Sequence, residues 1–199
     1  VSQPEDESIL ATSDEGLMLA YQAGNIMAFE QLYQKHKAPL YRFFVRQLSD
    51  QQLAQDLYQD TWSKVIKATA QYQVKAKFTT WLYKIAHNLI IDHVRAVKPL
   101  DLAAKSDNET ELVNVAAPFQ RAPEQLMQQQ QQQQDMQRCI AKLPAVQKEA
   151  LLLNIELGLT AANISEIAGV TLEATKSRIR YAYQNIKACI AIKWQETGS

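Results

Sequence analysis

Apolar residues recur every three or four positions along most of this chain, the spacing of one helix face. Ser13, followed by Asp14 and Glu15, has the form of an N-cap with first-turn acids. It predicts a short helix through Leu17, Met18, Leu19 and Ala20 that stops near Gly24. Asn25 is placed to cap the next helix, whose stripe is Phe29, Leu32, Tyr33, His36, Leu40, Phe43, Phe44 and Leu48. Pro39 is expected to kink or divide it. Leu53, Leu57, Trp62, Val65 and Ile66 form another stripe, and Phe78, Trp81, Leu82, Ile85, Leu89, Ile90 and Val94 a third. Sustained period-two alternation is missing. Residues 14–97 therefore read as a helical domain with an aromatic core.

The pattern changes over 98–135, which carries Pro99, Pro118 and Pro123, several acids and a run from Gln128 to Gln134. It reads as an acidic, Gln-rich linker, the Gln run being a solvated lead-in to the next helix. The second domain is expected over 136–194. Leu143-Pro144 opens a helix with apolar Val146, Ala150, Leu151, Leu153 and Ile155, ended by Gly158. Thr160 caps a short helix carrying Ile164 and Ile167. Gly169-Val170 makes a turn, and Thr171 caps a long helix with Leu172, Thr175, Ile179, Ala182, Ile186 and Ile190. The fold class is all-α: two small helical domains joined by a flexible linker, the second a helix-turn-helix domain.

Short helix, Gly turn and long helix is a helix-turn-helix signature. Gly169 can take the positive φ that a tight turn needs. The long helix then exposes Lys176, Ser177, Arg178 and Arg180, residues suited to phosphates and base edges in a major groove. Glu173 counts slightly against this, because it repels phosphate at the helix end that should attract it. A plain helical hairpin with a solvated basic face is the alternative. Residues 75–95 mix Lys75, Lys77, Lys84 and Arg95 with Phe78, Trp81, Tyr83, His87 and His93. Bases interleaved with aromatics suit unpaired nucleotides, yet half of these rings must be core. Taken alone, the segment reads more readily as core with a solvated rim.

Composition adds one useful fact. The 199 residues carry 21 Lys plus Arg and 21 Asp plus Glu, a total that argues against a nucleic-acid binder. The distribution reverses this: residues 1–20 are net −5, 21–98 net +6, 99–135 net −4 and 136–195 net +4. Screening limits each charge to about 8–10 Å, so local blocks matter more than the sum. No apolar run is long enough for a transmembrane helix, and the polar, acidic start argues against an intact signal peptide. Cys139 and Cys189 lie far apart with no CxxC, which suggests free thiols in a reducing compartment. His36, His87 and His93 form no spaced metal set and no Gly-rich phosphate loop is present. Asp56 and Asp60 share one helix face without a His, as solvated or partner-facing carboxylates do. No enzymatic activity, metal or cofactor is expected.

Four stretches together resemble the extracytoplasmic-function (ECF) sigma factors of the sigma-70 family. They are AFEQLYQKHKAPLYRFFVR (28–46), LAQDLYQDTWSKVIK (53–67), FTTWLYKIAHNLIIDHVR (78–95) and LPAVQKEALLLNIELGLTAANISEIAGVTLEATKSRIRYAYQNI (143–186). The resemblance implies a region-2-like front domain and a region-4-like rear domain. It implies that Asp56, Gln59, Asp60 and Trp62 bind the β′ clamp helices of core RNA polymerase. It implies that Lys75, Lys77, Phe78, Thr79, Thr80, Trp81, Lys84, His87, Asn88, Asp92 and Arg95 serve the −10 element. It implies that Thr171, Thr175, Lys176, Ser177, Arg178, Arg180 and Tyr181 serve the −35 element. His87 stands where the family usually has Arg, and Ala96 and Val97 replace an Arg run, so phosphate grip is expected to be weaker and more pH-dependent. Thr171, Glu173 and Ala174 depart from the usual Pro, Gly and Thr. Implied partners are core RNA polymerase (also through its β flap), promoter DNA and an anti-sigma factor, often membrane-anchored; the free chain would be a monomer. Implied localisation is cytoplasmic, near the inner membrane when an anti-sigma factor holds it. Rival readings are a helix-turn-helix regulator that works without polymerase, and a decoy for a sigma-binding inhibitor.

Overall fold

The computed structural model describes residues 13–97 and 123–197, and its regular structure there is entirely helical. The reading of 98–122 as linker lies outside the described residues. The front half holds α1 (Asp14–Gln22), α2 (Ile26–Gln47), α3 (Gln51–Ala68), a 3-10 turn (Thr69–Gln71) and α4 (Phe78–Val97). Ser13 Oγ accepts from the Gly16 N–H at 3.0 Å and Asn25 Oδ1 from Ala28 at 3.4 Å, as the sequence implied. Asp50 caps α3 in the same way, through the Leu53 N–H at 3.0 Å. Pro39 does not divide α2, which runs unbroken past it. Leu32 and His36 before the proline, and Leu40, Phe43 and Phe44 after it, are all buried on one face. That shared burial, about 1.5–3 kcal/mol for each large apolar side chain, outweighs the hydrogen bond that proline removes.

The rear half holds α5 (Pro123–Ala141), α6 (Ala145–Ile155), α7 (Ala161–Ala168) and α8 (Leu172–Thr197). The Gln run is helical, inside α5. A domain start at 136 would cut α5 in its middle. Gln is a fair helix former, and buried Asp135 takes Gln131 Nε2 at 3.2 Å and sits 3.5 Å from Lys193 Nζ on α8. Neither contact has a periodic apolar signature. Leu143, Leu151, Ala182 and Ile186, flanked by Ile140 and Ile190, pack α5, α6 and α8 together.

Cys139 and Cys189 are joined as a disulfide, with Cα atoms 5.8 Å apart. This corrects the expectation of free thiols. Helices α5 and α8 run antiparallel, so positions 50 residues apart in sequence become neighbours. Such a crosslink stabilises a fold by about 2–4 kcal/mol.

The two halves are packed against each other. Helix α4 lies on α7 and α2 on α6, and one apolar core runs from Leu82, Leu89 and Ile90 to Leu152, Leu153, Ile164 and Ile167.

His36 is buried beside the Phe78 ring, its Nε2 2.9 Å from Asp14 Oδ2. Burial lowers its pKa below the usual 6.5, and outweighs the opposing pull of Asp14. The unfolded chain therefore binds this proton at a higher pH than the folded chain does. His36 favours the fold above the usual histidine value, and that support is lost as pH falls through the lowered one. Urea midpoints should drop between pH 7.5 and 5, and drop less in His36→Gln; equal slopes in the two proteins would refute this role.

Candidate nucleic-acid interface

On α3, Asp56, Gln59 and Asp60 are exposed on one side, with Gln52 Nε2 donating to Asp56 at 3.1 Å. Trp62, two residues past Asp60, points the opposite way into the core. It meets Phe29 edge-on at 5.9 Å and Tyr33 at 5.0 Å. Trp62 is thus not a surface contact as expected; it holds α3 against α2 so that the acids face out.

Lys75 and Lys77 are exposed in the stretch that leads into α4. Phe78 and Thr80 are buried, which removes both from any surface that nucleic acid could touch. Phe78 instead anchors the loop. Its ring lies 5.8 Å from Trp81 and 6.5 Å from Tyr72, and its N–H donates to Glu15 Oε1 at 2.6 Å. Glu15 therefore satisfies an orphan donor at the start of α4 and complements that end of the helix dipole. Burial, with Glu15 and Asp14 close by, pushes the Tyr72 hydroxyl up to about 12. Thr79 and Trp81 are half-buried, the Trp81 ring meeting Tyr72 edge-on at 5.0 Å.

Along α4, Lys84, Asn88, Asp92 and Arg95 are all exposed. Their spacing of four, four and three puts them on one face. His87 is off that face. Its Nδ1 lies 2.6 Å from Oε1 of Glu149 on α6, within hydrogen-bond distance. The pair joins the two halves, and Glu149 is only 6% exposed. Two more polar contacts cross the same seam. Gln47 Nε2 donates to the Ala145 carbonyl at 3.0 Å, and Arg46 pairs with Glu156. Burial also lowers the pKa of Lys148, the neighbour of Glu149.

In the rear half the turn has the expected geometry. Thr160 Oγ1 accepts from the Asn163 N–H, Gly169 has φ +63°, and Thr171 Oγ1 accepts from the Ala174 N–H at 3.2 Å. Ile164 and Ile167 are buried, with Ile179 packed against the same core. At the start of α8, Lys176, Arg180 and Tyr181 are exposed, and Ser177 and Arg178 half-buried. The Arg180 guanidinium lies 5.1 Å from the Tyr181 ring. Glu173 is held by Lys176 at 2.9 Å. Thr175 does not reach the surface: it is fully buried, and its hydroxyl donates to the Thr171 carbonyl at 3.2 Å. Its spacing from Leu172 and Ile179 was that of the apolar stripe.

Sequence reasoning missed Glu15, Arg46, Gln47, Glu149 and Glu156. Each acts on a residue at least 60 positions away, and no local pattern announces such a partner.

Two family models match, in chain order: sigma-70 region 2 over residues 32–98, and sigma-70 region 4 over 133–186. The ECF RNA polymerase sigma factor SigC of Mycobacterium tuberculosis is 29% identical over 178 residues, covering 89% of each chain. SigW of Bacillus subtilis, another ECF RNA polymerase sigma factor, is 26% identical over 159 residues, covering 78% of this chain and 85% of its own. Among solved structures, the sigma factor RpoE of Bartonella quintana, crystallised with the anti-sigma factor NepR, has the same fold. Its TM-score is 0.66 at 20% identity, over 84% of this chain and 99% of its own. CnrH, solved with the cytosolic domain of CnrY, gives a TM-score of 0.61 at 20% identity, over 88% and 96%.

Glu149→Ala should leave His87 Nδ1 without its hydrogen-bond partner in the seam and cost about 1–3 kcal/mol in urea unfolding. Glu173→Ala, which removes a solvent-exposed pair, should cost under about 0.5 kcal/mol. Equal costs would mean that Glu149 is not what secures the seam.

Proposed function

Because the chain belongs to the ECF group of the sigma-70 family, we propose that it binds core RNA polymerase, reads −35 and −10 promoter elements and opens the −10 region without ATP. The regulon it serves is a stress- or signal-responsive one. The observation that carries this reading is the order of its surfaces. An exposed acidic face on α3 and a polar stripe on α4 precede a capped, Gly-turned, basic helix, each half within a sigma-70 region match.

Asp56, Gln59 and Asp60 dock on the β′ clamp helices. The two carboxylates and the Gln59 amide are exposed and meet a partner without a large desolvation cost. Lys75 and Lys77, with Lys84, Asn88 and Arg95, hold the displaced −10 strand. Asp92, on the same face, accepts hydrogen bonds from bases. Trp81 is the ring best placed to meet an unstacked base, being half-exposed on a rigid aromatic cluster. Capture of flipped bases offsets the few kcal/mol of unstacking, so opening needs no nucleotide hydrolysis. Lys176, Arg178, Arg180 and Tyr181 enter the upstream major groove, and Thr171 presents the N-terminus of α8 to phosphate.

The closed packing of the two halves bears on this mechanism. Elements about 25 base pairs apart lie about 85 Å apart along B-DNA. A compact chain of this length has a radius of gyration of about 16–17 Å. The seam between α4 and α7 must therefore part when both elements are read. A segment as long as 98–122 spans about 80–90 Å only at full extension, so it just covers that distance. Polymerase supplies the affinity that separates the halves. RpoE of Bartonella quintana is bound to an anti-sigma factor in its crystal; a partner of that class binds this chain too, competes with polymerase for it and holds it from initiation. The chain acts in the cytoplasm, where polymerase and promoters are.

Transcription with purified core polymerase on a promoter library tests the whole reading. Lys176→Ala with Arg178→Ala should lower upstream-element binding at least about tenfold and flatten its salt dependence, leaving core association unchanged. Asp56→Asn with Asp60→Asn should weaken core association and spare duplex binding. If both pairs weakened core association alike, the division of roles would be wrong.

A further inference from the structure

We propose that Cys139 and Cys189 form a reversible thiol–disulfide site that sets how far the rear domain can travel from the front one; this rests on the initiation-factor reading above. A disulfide in a protein that works beside polymerase sits among reducing thiols, where such bonds are transient and regulatory. Its position fits that role. The helix-turn-helix unit has its own core and does not need the crosslink: Leu143, Leu151, Ala182 and Ile186 already bind α6 to α8. What the crosslink adds is upstream of them. It fixes α5, the end of the interdomain connection, along the far part of α8.

Beyond Cys139, Asp135 is the described side chain of α5 that is buried, held by Lys193 at 3.5 Å and Arg138 at 3.7 Å. Gln130 to Gln134 are exposed. With the crosslink closed, α5 stays a helix of about 1.5 Å rise per residue. With it open, residues 123–138 lose their covalent anchor and can extend at about 3.3–3.6 Å per residue, which adds about 30 Å of reach. Reach sets the effective concentration of one reader once the other is bound. The −35 contacts themselves, at the opposite end of α8, are untouched.

The chemistry is thiol–disulfide exchange with a small-molecule disulfide. The Cys189 thiolate attacks one sulfur of the oxidant and expels one small thiol. Cys139 then attacks the mixed disulfide and expels the second. The two protein thiols lose two electrons and two protons, and both pass to the two released thiols. A dithiol runs the sequence backwards. Cys139 is 1% exposed, whereas Cys189 is half-buried, so exchange begins at Cys189.

The test uses the full chain treated with glutathione disulfide or with dithiothreitol, and read by maleimide mobility shift, melting, upstream-duplex binding and transcription with core polymerase. Glutathione disulfide should close an intramolecular bond that dithiothreitol reopens without unfolding, with a melting difference of about 5–15 °C. Oxidised protein should initiate at least about threefold less well on two-element promoters, most of all on those with a lengthened spacer, while upstream-duplex binding stays within about twofold. Cys139→Ser with Cys189→Ser should match the reduced protein under both treatments. Equal initiation in both states, a bond that does not close and reopen, or a Ser variant that still responds would overturn the proposal. No initiation in either state would instead overturn the initiation-factor reading, while the mobility shift still reports the bond.

Discussion

The buried pair of Glu149 and His87 is the contact on which the arrangement turns. A carboxylate that is almost out of water is costly unless it is hydrogen-bonded, and here its partner comes from the other half of the molecule. The pair links α6 to α4, and the apolar seam between α4 and α7 closes the same boundary. Turning His87 to the rear half also fixes what α4 shows to solvent: Lys84, Asn88, Asp92 and Arg95 on the free face. His87 is thus one of the residues that join the two halves, with Gln47 and Arg46.

The front surfaces are built on buried scaffolding. Trp62 sets the direction of α3, and Phe78, Tyr72 and His36 form the base under the loop before α4. Glu15, from the first helix, caps the fourth. The exposed polar groups of the front half therefore stand on rigid elements, and binding through such groups has a lower ordering cost.

A chain with no net charge can still serve two anionic surfaces, because attraction acts over about a Debye length. Glu173, which opposes phosphate at the head of α8, is occupied by Lys176. That exposed pair is weak, and phosphate can take Lys176 from it. The rear half thus carries a local cationic patch at the head of α8. It is tethered through a helix whose anchor, the pair of cysteines, is covalent.

Helix caps at Ser13, Asn25, Thr160 and Thr171, the Gly169 turn and the one-face apolar stripes were legible in the sequence. Each depends on residues within about four positions of one another, so the chemistry of capping and periodicity declares itself locally. The exposed acids of α3 and the basic head of α8 were legible for the same reason. Trp62, Phe78 and Thr175 lay in the apolar stripes, so their burial was legible even though the family resemblance gave them surface roles; that of Thr80 was not, because whether a side chain meets solvent depends on what packs over it. Only the tertiary structure decided that Cys139 meets Cys189, that Glu15 caps α4, and that Glu149 and Glu156 bind the front half. Those partners are 50 to 110 residues apart, and distance along a chain says nothing of distance in space until the helices have packed.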